Sequence, residues 1–140
     1  MKNLILTLVV ALFMVGCSKD DDNKISNSDL IGTWVLTSSE TTVKVMGQSV
    51  TEPDEMDPDW KEYFIFKEDG TYKYQEEYLG KLDFSESGNY KLSGDEISLT
   101  SNGETTTSKC QIKGGKTLIL SEKFSMMGIE SEVISTYTKE

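Results

Sequence analysis

Apolar and polar residues alternate through most of the chain after residue 30, with the period of two that is typical of β-strands with one buried face. Glycine-containing pairs such as Asp69-Gly70, Asn102-Gly103 and Met127-Gly128 interrupt the alternation at regular intervals. No segment keeps the period of 3.6 that an amphipathic helix requires. The pattern therefore predicts an all-β domain, an antiparallel meander of about eight or nine strands joined by short turns.

The turn signals set the bounds of the predicted strands. They are 31–38, 41–50, 63–67, 71–78, 88–92, 96–100, 104–113, 116–125 and 129–138, with a turn at Ser39-Glu40 and a looser connection at 79–87. An acidic loop at 51–59 contains both prolines, which cannot donate to a β-ladder. Because closure removes both edges of such a meander, we expect a barrel or half-barrel.

Alternation also assigns side chains to the inner face of the sheet. The expected inward set is Trp34, Leu36, Val43, Val45, Phe64, Phe66, Tyr72, Tyr74, Tyr90, Leu92, Ile97, Leu99, Cys110, Ile112, Leu118, Leu120, Val133 and Tyr137. Tyr63, Ile65, Ile119 and Ile134 are expected to face outward. A barrel of about eight strands either fills its interior with side chains or holds one small ligand.

The first sixteen residues have a different pattern, that of a secretory signal. Lys2 precedes an apolar run from Leu4 to Val15, and Gly16 supplies a small residue at the expected cleavage point. The run is too short for a transmembrane helix, which needs about 20 apolar residues. The segment 1–16 is therefore predicted to be a signal peptide, and an ordinary cleaved signal that leaves a secreted protein is one alternative.

The end of this signal points to a lipid anchor. Met14-Val15-Gly16-Cys17 resembles the bacterial lipobox, with Met14 in the position where leucine is usual. The resemblance implies cleavage after Gly16 and acylation of Cys17. The implied partner is a membrane, which the protein contacts through its lipid chains, and two or three such chains give stable anchoring.

A polar segment separates Cys17 from the β domain. Residues 17–29 are predicted to be a flexible tether, because a run this polar cannot bury enough apolar surface to offset its chain entropy. Its first residues, Ser18, Lys19, Asp20, Asp21 and Asp22, resemble the surface-export signal of lipoproteins from Bacteroidota. This resemblance implies an outer-membrane protein whose domain, residues 30–140, faces outward.

Composition excludes several classes of chemistry. The chain contains no His, and all fourteen of its basic residues are Lys. Catalytic triads that need His, His-ligated zinc and Arg clamps on phosphate are therefore excluded. Without residues 1–16 the chain keeps thirteen Lys against 24 acidic residues, a net charge of −11, which argues against nucleic acid as a partner.

No residue pattern indicates a catalytic site, a metal site or a cofactor. With Cys17 acylated, Cys110 is the only thiol left, and we expect it to be buried as a small apolar residue. The carboxylates of the acidic loop are of the kind that binds Ca²⁺, but the loop lacks the glycine and spacing of an EF-hand. A solvated spacer is the simpler interpretation of this loop.

The start of the β domain resembles a known family. Leu30-Ile31-Gly32-Thr33-Trp34 is similar to the Gly-x-Trp signature that opens the first strand of lipocalins, and the hairpins at 66–74 and 88–99 are similar to those of lipocalin-like domains in Bacteroidota lipoproteins. The resemblance implies that Trp34 closes one end of a barrel. Lipocalins cover this Trp with an Arg, and here the aliphatic part of Lys139 is expected to take that place.

The resemblance implies a non-enzymatic protein that binds a small apolar or amphipathic ligand. The candidate ligand-binding residues are Trp34, Phe64, Phe66, Tyr72, Tyr74 and Tyr90. Packing in the core is the alternative role for these aromatic residues. Two other functions stay open: a structural or accessory surface protein that binds a protein or glycan through its exterior, and a glycosidase built from carboxylates alone.

Overall fold

A computed structural model describes residues 25–140 of the chain. The predicted signal peptide 1–16, Cys17 and the export signal Ser18, Lys19, Asp20, Asp21 and Asp22 lie outside the described residues. The elements are α1 (Asn27–Leu30), β1 (Gly32–Val45), β2 (Gln48–Pro53), β3 (Trp60–Phe66), β4 (Thr71–Tyr78), β5 (Lys81–Ser93), β6 (Glu96–Ser101), β7 (Glu104–Lys113), β8 (Thr117–Met126) and β9 (Ile129–Lys139). No helix in this range is long and apolar enough to cross a bilayer.

The strands form one antiparallel sheet that closes on itself. Neighbours follow the order β2-β1-β3-β4-β5-β6-β7-β8-β9, and β1 also pairs with β9. Strand β1 and strands β3 to β9 therefore make a closed eight-stranded barrel, while β2 is an additional strand at one edge. The predicted all-β meander and lipocalin-like barrel are confirmed, and closure leaves few backbone groups unpaired.

The first strand is longer than predicted, and the turn expected at Ser39-Glu40 is wrong. Strand β1 runs without a break to Val45 and turns at Met46-Gly47. Its register against β9 shifts between Leu36 and Ser38, which marks a β-bulge at Thr37. The bulge reverses the alternation, so Val43 still faces the side of the sheet that Trp34 faces.

Two other predicted boundaries are corrected by the structure. The looser connection expected at 79–87 is wrong, because a tight turn at Leu79-Gly80 leads directly into β5. Leu79 adopts a left-handed φ of 51°, which is uncommon for leucine, so the sequence carried little signal for this turn. The first part of the acidic loop is also strand, since β2 extends to Pro53.

A short helix precedes the barrel, in a segment predicted to be tether. Helix α1 covers Asn27–Leu30, and the backbone N–H of Ser26 donates to the Asp29 carboxylate at its start (2.9 Å). Leu30 is fully buried. Residues 27–29 of the predicted tether 17–29 are therefore helical, because burial of Leu30 fixes this turn on the barrel.

The core lies at one end of the barrel, here called the base. The buried apolar residues are Leu30, Trp34, Phe64, Phe66, Tyr72, Tyr90, Ile97, Cys110, Leu118, Leu120 and Tyr137. All of them except Leu30 belong to the predicted inward set. Leu36, Tyr74, Leu92, Leu99 and Ile112 of that set are partly buried against this core. Val45 of the set is 43% exposed, because β1 extends beyond the barrel at this point.

Trp34 closes the base through contacts on both sides of its ring. Its indole N–H donates to the carbonyl oxygen of Leu30 (2.7 Å), and the ammonium of Lys139 lies 5.0 Å from the ring centroid. The expected cover by Lys139 is confirmed. A Cβ on Gly32 would lie 2.8 Å from Lys139 Cε, and the φ of Gly32 is +133°. Glycine in the Gly-x-Trp triplet therefore makes room for the lysine.

Replacing Trp34 by alanine tests this description of the base. Trp34→Ala removes a fully buried ring, and losses of about 3–5 kcal/mol in the free energy of unfolding are usual for such changes. Trp60→Ala is the matched control, because Trp60 is only partly buried. Urea titration followed by circular dichroism measures both losses. If Trp34→Ala lost no more stability than Trp60→Ala, the conclusion that the Trp34 ring stabilises the base would be wrong.

Candidate functional site: the mouth of the barrel

The end of the barrel opposite Trp34, here called the mouth, is less completely filled by side chains. The turns β1–β2, β4–β5, β6–β7 and β8–β9 lie at this end, and the chain enters at the base through α1. Below the mouth, inward-facing side chains of β3 to β9 line two adjacent cavities that are open to solvent. Phe64 and Tyr74 line both cavities and form the wall between them.

The two cavities combine aromatic rings with carboxylates. The first cavity has a volume of about 270 Å³ and is lined by Glu62, Phe64, Tyr74, Leu120, Glu122, Phe124, Val133, Ser135 and Tyr137. The second has a volume of about 330 Å³ and is lined by Phe64, Tyr72, Tyr74, Phe84, Glu86, Leu99, Ser101, Asn102, Glu104 and Thr106. Phe124 is 52% exposed and Phe84 is 47% exposed, so an apolar ring stands at the rim of each cavity.

Hydroxyl groups inside the barrel donate to these carboxylates. The Tyr137 hydroxyl donates to Glu62 (2.6 Å), and the Tyr72 hydroxyl donates to Glu86 (3.1 Å). The Ser108 hydroxyl donates to Glu122 (2.8 Å), and the Tyr74 hydroxyl donates to Glu76 (2.5 Å), which lines neither cavity. Each carboxylate keeps further acceptor capacity for another donor, since an ionised carboxylate has about four lone-pair sites.

Burial sets the ionisation of these groups. Desolvation, followed by the hydrogen bond to Glu86, raises the pKa of Tyr72 to about 12, and desolvation also raises the pKa of Tyr74 and of Tyr137. The three phenols therefore remain hydrogen-bond donors at neutral pH. Desolvation raises the pKa of Glu62 as well, and the charges of Glu76 and Glu122 act in the same direction. Hydrogen bonds from Tyr137 and Tyr74 oppose this shift in part.

Four strands continue beyond the mouth as an amphipathic sheet. This extension consists of residues 40–53 in β1 and β2 and residues 122–134 in β8 and β9. Its inner face continues the inner face of the barrel and carries Val43, Val45, Val50, Phe124, Met126, Ile129 and Val133. Its outer face carries polar groups, including the Thr42–Thr51 hydrogen bond (2.7 Å) and the Lys44–Glu130 ion pair (3.4 Å).

The predicted ligand-binding residues divide between the mouth and the base. Phe64, Tyr72 and Tyr74 line the cavities. The other three, Trp34, Phe66 and Tyr90, are buried in the core and do not line either cavity. Phe64 and Tyr72 are also buried in the core, so the packing role applies to five of the six residues, and only Tyr74 is a partly buried lining residue.

No motif in the sequence distinguishes the carboxylates of the mouth from the other acidic residues. Glu62, Glu86 and Glu122 lie an even number of residues from inward-facing aromatic or apolar positions, so alternation places them inside. They were passed over because acidic residues are rarely buried and the chain offers many of them. The same parity would have indicated Phe84 and Phe124, which line the two cavities.

Other candidate chemistry is weak in the described part of the chain. Residues 25–140 contain no group of three or more Cys, Asp or Glu side chains placed to hold a metal ion. In the acidic loop, Asp54 accepts hydrogen bonds from Ser39 (2.5 Å) and Thr41 (3.1 Å), which attach the loop to β1. Cys110 is buried, and desolvation raises the pKa of its thiol to about 12, so it is not a thiolate at neutral pH.

Neutralising Glu62 should change the pH dependence of stability. A carboxyl group whose pKa is raised by folding binds its proton more tightly in the folded state, so ionising it lowers stability as the pH rises from 4.5 through the raised pKa. Glu62→Gln removes this loss. We expect the free energy of unfolding of the wild type, relative to the variant, to fall as the pH rises above 4.5. Chemical denaturation of both proteins at each pH measures the difference.

The control for this measurement is Glu96→Gln. Glu96 is exposed on the outer side of β6, and its replacement makes the same change in net charge. Any effect of overall charge therefore appears in both variants, and the effect of burial appears in Glu62→Gln alone. The quantity compared is the free energy of unfolding of the wild type minus that of the variant. If this difference rose with pH for Glu62→Gln, or matched that for Glu96→Gln, the desolvation of Glu62 would be refuted.

Solved structures resemble this barrel at low sequence identity. A crystal structure of a lipocalin-like protein from Bacteroides uniformis is 20% identical, covers 80% of this chain and 99% of that chain, and has a TM-score of 0.49. An uncharacterized protein from Bacteroides eggerthii is 15% identical, covers 79% of this chain and 98% of that chain, and has a TM-score of 0.50, a likeness that concerns the fold alone. No curated protein matches the sequence.

A family model gives the assignment. The model for the lipocalin-like domain matches residues 30–120, which run from the last residue of α1 to the middle of β8. This range includes the Gly-x-Trp triplet, the core of the base and most residues that line the two cavities. The chain therefore belongs to the lipocalin-like domain family.

Proposed function

We propose that this protein is a lipid-anchored lipoprotein of the cell envelope whose barrel binds a small apolar or amphipathic ligand at the mouth. The observation that carries the proposal is the pair of cavities lined by aromatic rings and a few polar groups. Ligand sites in proteins commonly have this composition, with apolar walls that supply affinity and polar groups that fix orientation. The family assignment supports a binding role for the barrel.

The inner face of the extension adds to the ligand site. Phe124 and Val133 line the first cavity and also belong to the apolar face above it. A ligand seated in the first cavity can therefore continue along Val43 and Val50, which lie opposite each other on β1 and β2. An amphipathic molecule fits this arrangement, because the first cavity carries two carboxylates and the extension adds Val43 and Val50, although Ser131 and Glu52 share its inner face.

The anchoring part of the proposal rests on the sequence before residue 25. The signal-like segment 1–16 and the lipobox-like residues before Cys17 support lipidation, and the acidic run after Cys17 supports an outward-facing position on the outer membrane. The domain is joined to this segment through α1 at the base. In the proposed arrangement the mouth consequently faces away from the attachment point.

The proposed role is binding without catalysis. The chain has no His to serve as a base, and the Cys110 thiol is buried with a pKa raised to about 12. The alternative of an accessory surface protein that binds a partner through its exterior draws support from the hairpin tips. Met46 and Met127 are almost completely exposed at these tips, so their side chains are accessible to a partner.

Cys17→Ala tests the lipid anchor in a host that processes lipoproteins. We expect this variant to lose acylation and to leave the membrane fraction, because the polypeptide has no other predicted attachment. Cys110→Ala is the matched control and should stay attached, since Cys110 is buried in the barrel. Fractionation with metabolic labelling by an alkynyl fatty acid measures both. A Cys17→Ala protein that remains in the membrane fraction would disprove the anchor.

Uptake of a neutral apolar dye tests the ligand site. Residues 25–140 contain the complete barrel and its core, so a chain without residues 1–16 and with Cys17→Ser is a suitable sample. We expect the fluorescence of N-phenyl-1-naphthylamine to increase on binding. The increase should saturate at about one dye molecule per protein. Ser135→Phe should reduce binding because Ser135 faces the first cavity, whereas Thr136→Phe places the same ring on the opposite face.

Folding of both variants is checked by thermal unfolding, so that a loss of binding can be assigned to the filled cavity. Equal dye binding by Ser135→Phe and Thr136→Phe would show that the dye does not bind in the first cavity. Absence of uptake by the unmodified barrel, with native unfolding behaviour, would argue for an interior that binds no ligand and would favour the accessory role.

A further inference from the structure

The carboxylates of the mouth differ from those on the outer surface in their neighbours. Among residues 25–140 there are three ion pairs, Lys44–Glu130 (3.4 Å), Lys109–Asp95 (3.5 Å) and Lys123–Glu132 (3.8 Å). All three lie outside the two cavities, and no lysine lines either cavity. In this part of the chain the mouth therefore carries negative charge that no lysine neutralises.

The partners of the cavity carboxylates are neutral groups. Glu62 accepts from the Tyr137 hydroxyl, Glu122 from the Ser108 hydroxyl and Glu86 from the Tyr72 hydroxyl. A hydroxyl donor stabilises an ionised carboxylate but leaves its charge in place. Partial burial makes that charge interact more strongly with a nearby cation than it would at the surface.

The apolar face of the extension begins beside these charges. Glu122 lies opposite Val133 in the β8–β9 ladder, and Phe124 follows it on the same face of β8. Thr41 lies opposite Val133 on β1, and Val43 continues this face toward the turn. The unpartnered apolar surface and the negative charge are thus contiguous, with the charge at the inner end and the apolar residues toward solvent.

We propose that the mouth selects an organic cation that carries an apolar chain. The ammonium group binds in the first cavity between Glu62 and Glu122, and the chain lies on the inner face of the extension along Phe124, Val43 and Val50. This inference rests on the proposed ligand-binding function and adds the charge and the orientation of the ligand.

Charge complementarity favours this occupant over the other amphipathic molecules. A fatty acid would place its carboxylate beside Glu62 and Glu122. Like charges next to each other in a partly buried site are strongly unfavourable. A cation is favoured by the same two carboxylates. Phe64, Tyr74 and Tyr137 also line the first cavity, and an aromatic ring attracts an ammonium group that lies over its face.

The protonation behaviour of Glu62 agrees with this geometry. Desolvation and the charges of Glu76 and Glu122 raise its pKa in the ligand-free protein, which means that its ionised form lacks a favourable counter-charge. A bound ammonium supplies that counter-charge. The site is thus arranged so that ligand binding relieves repulsion that the empty barrel contains.

Three ligands with the same chain and different head groups test the proposal. Decyltrimethylammonium, 1-decanol and decanoate are titrated, each below the concentration at which it aggregates, into the chain without residues 1–16 and with Cys17→Ser. Isothermal titration calorimetry at neutral pH gives each Kd. We expect the cation to bind about tenfold or more tightly than decanoate, with decanol between them. We also expect added salt to weaken binding of the cation and not of decanol.

Variants of the carboxylates identify the residues responsible. Glu62→Gln and Glu122→Gln should each weaken binding of the cation by about tenfold and leave decanol binding within about twofold. Glu96→Gln, which removes one charge from the outer face, should change neither. The salt dependence of the unmodified protein provides the same test if a variant fails to fold.

The outcomes separate this inference from the function on which it rests. Decanoate that binds as tightly as the cation, or a cation affinity unchanged in both mouth variants, would overturn the selection for cations and would leave ligand binding in place. Failure of all three ligands to bind would overturn the proposed function, and the inference with it.

Discussion

The pairing of β1 with β9 is the contact on which the rest of the barrel depends. This ladder runs from Trp34–Lys139 to Lys44–Glu130 and closes the sheet. Closure places Lys139 over the Trp34 ring and brings Tyr137 within hydrogen-bonding distance of Glu62 on β3. An open sheet with the same strands would expose the base and separate the two sides of the first cavity. The bulge at Thr37 permits this ladder, because β1 bends there. Before the bulge β1 pairs with β3, and after it β1 pairs with β2 instead.

The division of the interior into a packed base and a charged mouth follows from which residues occupy the inward positions. Near the base these positions hold large apolar groups such as Phe66, Ile97 and Leu118, which exclude water. One or two inward positions further along the strands, glutamates take their place, and tyrosine hydroxyls satisfy part of their hydrogen-bonding capacity. The transition lies within single strands, since Phe66, Phe64 and Glu62 are successive inward residues of β3.

Much of this fold could be predicted from the sequence, because it depends on alternation and on glycine turns. The nine strands and most of the core follow from such local signals, whereas the cover of Trp34 by Lys139 was expected from the resemblance to lipocalins. The turns at Met46-Gly47 and Leu79-Gly80 were not predicted, although the same pattern at Met127-Gly128 was, and Met127 also has a left-handed φ. The site was predicted only in part. Aromatic residues indicated Phe64, Tyr72 and Tyr74, but the role of Glu62 depends on β9 crossing to β3, which no local pattern encodes.

The position of β2 has a consequence for self-association. In the described sheet this strand has one neighbour, β1, and its other side presents unpaired backbone donors and acceptors. The strand is six residues long and ends at Pro53, which has no N–H to offer, and Glu52 beside it carries a charge. Strand addition by a second β-rich chain is therefore confined to a few residues next to Val50. So short a free edge leaves little backbone on which a neighbouring chain could add a strand.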